Sequence, residues 1–249
     1  MATPSSKQKD KRQKSSVSVD ELSKQLLSRN QFLERQSRIL KLIENDPLFS
    51  KREQLDVSRV ERFKVALARN EKMRRLATQH SWDLEDYKIA EYLVDEMSPD
   101  YLHYGMFATS VRQQGSSEQI KEWMADIEDF NILGCYAQTE MGHGSNVRGL
   151  ETKAKYDVKT KEWIIHSPTL IAVKWWPGAL GRTATHAIVV AQLLAPGADG
   201  SLVSQGPHQF VCRIRDQKIH QPLDRIVVGD IGPKYGYDDI LDHKFQQGC

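Results

Sequence analysis

The sequence predicts an α+β protein, with an N-terminal all-α domain followed by an antiparallel β domain. Two observations carry this. Up to about residue 129, apolar residues recur at the three-to-four spacing of an amphipathic helix. After Asp129 the pattern breaks into short apolar runs separated by Gly, Pro, Asp and Asn, which is strand and turn texture. A third observation sets the start. Residues 1–17 hold Lys7, Lys9, Lys11, Arg12 and Lys14 among Ser, Gln and Asp, too little apolar surface to offset ordering, and are expected to be a disordered basic tail. The domains expected are therefore helical over 18–130 and β over 131–239.

The helical elements follow in order. Asp20 is expected to cap a helix whose apolar positions include Leu22, Leu26, Leu27 and Phe32. Ile39, Leu40 and Ile43 continue the pattern until Asn45-Asp46-Pro47 breaks it. Val60, Phe63, Val65, Leu67 and Leu76 mark another amphipathic stretch, and Ile89, Tyr92, Leu93 and Met97 a further one ending at Ser98-Pro99. Gly115 ends a helix. Ser116 and Gln119 have capping-box spacing for the next, with Glu118 at its positive dipole end.

The β elements expected are Glu162–His166, Leu170–Val173, Ala187–Ala191 and Gln209–Ile214, preceded by the apolar run Ile132–Ala137. Ala195–Gly206 reads as the tip of a hairpin.

Composition narrows the function classes. A net charge of +2 gives no global field for nucleic acid or membrane. The basic tail lacks aromatic interleaving and reads as a solvated charge run. No stretch reaches the roughly 20 apolar residues of a membrane helix, so no membrane insertion is expected. The three cysteines, Cys135, Cys212 and Cys249, form no CxxC pair. Neither a disulfide framework nor a metal site is expected, and a reducing compartment fits.

Two segments carry candidate chemistry. In Cys135–Asn146 a strand runs into a turn with two glycines, where backbone can approach a flat or phosphorylated ligand and Thr and Ser offer neutral hydrogen bonds. Such corners are also common as plain structure, and His143 reads as a polar loop residue. In Lys174–Gly181 two adjacent indoles, Trp175 and Trp176, are expected on a strand, one entering the core and the other lining a pocket or stacking on an aromatic ligand. Burial of both indoles is the alternative.

Together these strings resemble a known family. CYAQTEMGHGSNVRGLET, SPTLIAVKWWPG, GRTATHAIVVAQL and VVGDIGPKYGYDD, with NDPLF at 45–49 and MFATSVRQQGSSEQIKEWM in the helical part, are similar to peroxisomal acyl-CoA oxidases from about residue 18 to 240. The resemblance implies the acyl-CoA oxidase/dehydrogenase fold and FAD as cofactor. It places Thr139 against the flavin ring, Gly178 at the family's flavin-contacting glycine and Trp176 near the ring. It sets Gly144-Ser145-Asn146 near the thioester and pantetheine, less firmly because dehydrogenases have Asp at Asn146. Dehydrogenases carry Thr where Gly178 stands, so the missing side chain leaves room for oxygen.

The implied reaction converts a fatty acyl-CoA and O₂ to trans-2-enoyl-CoA and H₂O₂ in the peroxisome, with a homodimer expected for the full-length family. The family's catalytic Glu lies in a C-terminal helical domain beyond residue 249, so no catalytic residue is assigned here and Glu140 is not expected to replace it. Residues 240–249 depart from the family pattern, and the last three, Gln247-Gly248-Cys249, are not a peroxisomal address. The expectation is a truncated form without oxidase activity of its own. The alternatives are a non-catalytic fragment that binds a partner or a normal subunit, and an acyl-CoA dehydrogenase.

Overall fold

A computed structural model describes residues 18–27, 31–52, 57–232 and 243–247. The expectations for residues 1–17 lie outside these. The chain divides into two compact units, residues 1–53 with 71–96, and residues 54–70 with 97–249.

In the first unit, α1 (Val19–Leu27) begins with a reciprocal box. Ser18 Oγ accepts the Glu21 amide at 3.0 Å and Glu21 Oε2 accepts the Ser18 amide at 3.1 Å. The cap is thus Ser18 and not Asp20, which sits inside the first turn. Helix α2 (Phe32–Ile43) packs on the last part of α3 (Arg59–Gln79) and on α4 (Leu84–Val94) through Ile39, Ile43, Met73, Leu76, Ile89, Ala90 and Val94. Asp83 caps α4 by accepting the Asp86 amide, and Arg35 binds Asp83 at 2.7 Å while Arg38 binds Asp86 at 2.7 Å. These bonds tie α2 to the start of α4, and the Arg35 guanidinium holds the Asp83 carboxyl below the usual carboxylate range.

In the second unit, a π-helical turn (His103–Ala108) leads into α5 (Thr109–Gln114) and α6 (Ser117–Glu128). The capping box at Ser116 and Gln119 is formed as its spacing predicts. Strand β1 (Gly134–Ala137) follows, then β2 (Lys153–Asp157), β3 (Glu162–His166), β4 (His186–Pro196), β5 (Leu202–Arg213), β6 (Ile226–Asp230) and β7 (His243–Gln247).

Strand β4 organises the main sheet. Its first six residues are all buried, and their alternation serves two cores. Ala187, Val189 and Ala191 join Cys135, Ala137 and Ile214 on one face, while Ile188 meets Phe107, Val111, Met124 and Ile127 from the helices on the other. Strands β1 and β2 lie end to end along one side of β4, both parallel to it, and β5 lies antiparallel on the other. Strand β3 pairs antiparallel with β2, and β6 with β7. The sheet is therefore mixed where a wholly antiparallel one was expected. Parallel neighbours need a long crossover, which residues 138–185 supply between β1 and β4, and no local turn signal announces such pairing.

Two local expectations are also corrected. Leu170–Ala172 is a 3₁₀ turn and not a strand, because Thr169 caps it by accepting the Ala172 amide. The hairpin tip is shorter than expected: β4 extends to Pro196 and β5 begins at Leu202. Asp199 closes the tip by accepting the amide and hydroxyl of Ser201.

His103 joins helices to sheet. Its Nδ1 accepts the Gly134 amide at 3.0 Å, so Nε2 carries the proton and donates to Ile127 O at 3.0 Å. At the same junction the Phe107 ring lies so close to Gly134 that a Cβ there would sit 2.0 Å from the ring.

Candidate functional site

Where β1 ends, Gln138-Thr139-Glu140 continues as irregular extended chain and meets the segment leading into the two tryptophans. The amide of Trp175 donates to Thr139 O at 2.9 Å, Met141 N to Val173 O at 2.9 Å and Gly142 N to Ile171 O at 2.9 Å. The two segments thus run antiparallel as a ribbon outside the regular sheet. Glycine is required at 142, since a Cβ there would lie 2.8 Å from Ile171 Cβ.

Beneath the ribbon lies a polar hub. Glu140 is 1% exposed and accepts five hydrogen bonds. Oε1 takes Thr152 N, Thr152 Oγ1 and Lys174 Nζ, and Oε2 takes Glu151 N and His143 Nδ1. Lys174 is fully buried and also donates to Gln138 O at 3.0 Å and Val190 O at 2.7 Å. Burial pulls the Lys174 ammonium down to about 8 against the opposing pull of Glu140. Burial also works to raise Glu140, but the Glu151 and Thr152 donors and the Lys174 charge outweigh it and leave the carboxyl below its ordinary value. Both groups are therefore charged at neutral pH.

Thr139 is half-buried at the start of the ribbon, and Gly178 is buried in the turn after the tryptophans. Their segments meet through the Trp175–Thr139 bond, with Gly178 three residues beyond Trp175. The tryptophans were expected on a strand but do not lie on one, because the chain leaves extended geometry at Trp176, whose φ is 78°. Trp175 is half-buried and Trp176 is 52% exposed, so neither is a core indole. Gly144 faces open space, and Asn146 caps a short 3₁₀ turn by accepting the Gly149 amide. His143 is a ligand of the Glu140 carboxylate, a role that loop chemistry did not reveal.

Three functional-site neighbours escaped the sequence reading. Lys174 carried no assigned role, although a lysine inside the apolar run Ala172-Val173-Lys174-Trp175 is a signal of a buried partner. Thr152 shares the Glu140 carboxylate, and Arg215 binds carbonyls of the turn beyond Gly178.

Of the two cysteines described, Cys135 is buried and Cys212 half-buried. Cys135 and Cys212 both flank Ala187, on β1 and β5. Two strand spacings put them roughly 9–10 Å apart, beyond disulfide reach. Burial pushes the Cys135 thiol upward and that of Cys212 up to about 12. Among the described residues no group of three or more His, Cys, Asp or Glu is placed to hold a metal, and no helix is long and apolar enough to cross a membrane. A cleft of about 690 Å³ between α5, α6 and β5, lined by Trp123, Trp163, Phe210 and Arg213, includes neither Thr139 nor Gly178.

Helices followed by a mixed sheet are the architecture this chain shares with solved acyl-CoA oxidases. The model for "Acyl-coenzyme A oxidase N-terminal" matches residues 18–133. Peroxisomal acyl-coenzyme A oxidase 1 of Arabidopsis thaliana is 39% identical over 227 residues, covering 91% of this chain and 33% of the relative. Among solved structures, Arabidopsis thaliana acyl-CoA oxidase 1 superposes with a TM-score of 0.88 at 37% identity, over 96% of this chain and 36% of that one. Acyl-CoA oxidase-2 of Caenorhabditis elegans, bound with FAD, ascaroside-CoA and ATP, gives 0.84 at 30% identity, over 98% and 37%. The chain belongs to the peroxisomal acyl-CoA oxidase family, and it spans about a third of the length of these relatives.

Proposed function

We propose that this chain forms the part of an FAD-dependent acyl-CoA oxidase that receives the flavin ring, in a peroxisomal enzyme that turns fatty acyl-CoA and O₂ into trans-2-enoyl-CoA and H₂O₂. The observation that carries the reading is the main-chain bond from Trp175 to Thr139, which brings together the two segments assigned to the flavin. The surroundings fit a flat aromatic ligand. Met141 and Ile171, on the two segments of the ribbon, and Trp176, on the turn that follows, expose 41%, 45% and 52% of their surface, apolar area of the kind a planar ring would cover. The Caenorhabditis elegans relative is bound with FAD and ascaroside-CoA, which supports FAD as the cofactor.

When bound, FAD supplies the two-electron redox chemistry. The residues of this chain bind and orient. Thr139 would offer its hydroxyl to the flavin ring, Trp176 would cover the ring, and Gly178 would add no side chain beside it, leaving room for O₂. Glu140 is not the base that removes the α-proton: its lone pairs are occupied by five donors and its carboxylate is sealed from any substrate.

Titration of the purified chain with FAD tests the reading. Binding should quench flavin and tryptophan fluorescence and induce visible circular dichroism, and Trp176→Ala should weaken it several-fold. Equal affinity for FAD in wild type and Trp176→Ala would remove the indole from the site. No detectable binding by the chain would remove the reading for this chain.

A further inference from the structure

Two buried cations bracket the turn that carries the tryptophans. Lys174, at its start, binds the carbonyls of Gln138 and Val190 as well as Glu140. Arg215, 3% exposed, reaches its far end: Nη1 donates to Leu180 O and Ala184 O, both at 2.6 Å, and Nη2 to Gly181 O at 2.8 Å. Between the two cations, Trp176 and Ala179 adopt φ of 78° and 67°, a left-handed conformation that residues with a Cβ rarely take. We propose that Arg215 and Lys174 are positioning residues that hold the Trp175–Ala184 turn in its strained, ligand-facing shape. The ligand-facing part rests on the flavin reading above.

The turn cannot hold itself. Its own amides at Arg182, Thr183 and Ala184 all converge on one acceptor, Ala179 O. The carbonyls of Leu180, Gly181 and Ala184 are left for Arg215. A planar guanidinium can serve three carbonyls at fixed angles, which a single ammonium cannot do in the same geometry. Arg215 is itself fixed, with its amide donating to Thr185 O and the preceding Ile214 amide donating to the same oxygen. Taking two cations out of water is unfavourable, and apolar side chains would fill the same space at lower cost. They would also leave the turn carbonyls without the Arg215 donors, the Glu140 carboxylate without the Lys174 anchor at the turn's start, and the left-handed residues free to relax. The arrangement therefore favours one shape of the turn over maximal stability of the fold.

Hydrogen exchange on the whole chain, followed residue by residue, separates this role from a general structural one. Arg215→Lys keeps the charge and removes the fork; Arg215→Met removes both. Arg215→Lys should retain wild-type far-ultraviolet circular dichroism and speed exchange of the Arg182, Thr183 and Ala184 amides at least tenfold, with Val189 and Val190 in β4 unchanged. Its FAD affinity should fall at least tenfold. Exchange unchanged at 182–184, or accelerated equally across β4, overturns the assignment. So does loosening of the turn with FAD affinity held within twofold, which would separate the turn from the ligand. If the wild-type chain takes up no FAD, the flavin reading fails on its own. The positioning role is then decided by the exchange pattern together with acrylamide quenching of Trp176, which should change in Arg215→Lys if the turn is released and stay at the wild-type value if it is not.

Discussion

The Glu140 carboxylate and the Lys174 ammonium meet 3.0 Å apart with neither side chain exposed to solvent. The pair joins the end of β1 to the start of the tryptophan turn, and each partner also serves main-chain groups that would otherwise be buried without partners. Removing one partner leaves a charge in the core. Lys174→Met should therefore destabilise the protein by about 3–5 kcal/mol, and Glu140→Gln by less because the amide can still accept from Thr152. The double variant should recover part of the Lys174→Met loss. Denaturant unfolding of the four proteins measures this, and strictly additive losses would show that the pair is not coupled.

Gly134 faces the Phe107 ring, with room for no further atom. Gly134→Ala should overpack this junction and cost at least about 1–3 kcal/mol. Phe107→Leu in the same chain should return some of that stability, although it is destabilising alone. A double-mutant cycle by thermal unfolding checks the sign.

His186 is buried next to Trp123 and 2.9 Å from Thr185 Oγ1, and burial, aided by the Arg213 charge, pushes it down to about 4. The unfolded chain binds a proton at this residue below its ordinary value of 6.5, and the folded chain does so only near 4. Between those values the unfolded state holds more protons, so stability falls as pH drops through that window, by up to about 3 kcal/mol. Thermal midpoints from pH 7 to 4 should show a steeper decline in wild type than in His186→Gln. Parallel curves would mean that His186 is not the group responsible.

Cys135, which is buried, and Cys212, which is half-buried, should be inert while the protein is folded, since both thiols are held neutral. In a Cys249→Ser background, a thiol reagent should label neither residue under native conditions and both after denaturation. Oxidation should produce no disulfide between them. Labelling within minutes in the native state would contradict their burial.

Much of this molecule was determined by local sequence. The capping box at Ser116, the breaker at Asn45-Asp46-Pro47 and the apolar strand Ala187–Ala191 are written in spacing and residue type, because capping, turn chemistry and side-chain alternation act over a few residues. Thr139, Gly178 and Trp176 are singled out together only through long matching strings, since a single glycine-containing corner is chemically unspecific, and their flavin role stays a proposal. The tertiary structure alone decided the parallel pairing of β1 and β2 with β4, the 3₁₀ turn at Leu170–Ala172 and the left-handed Trp176. It also decided which charges are buried. Lys174 stands out only by its apolar neighbours and Arg215 not at all, and their roles arise from carbonyls contributed by residues far along the chain: Val190 for one, Leu180 and Ala184 for the other. Desolvation is a property of the packed environment, so a buried charge and its partners become visible only once distant segments have come together.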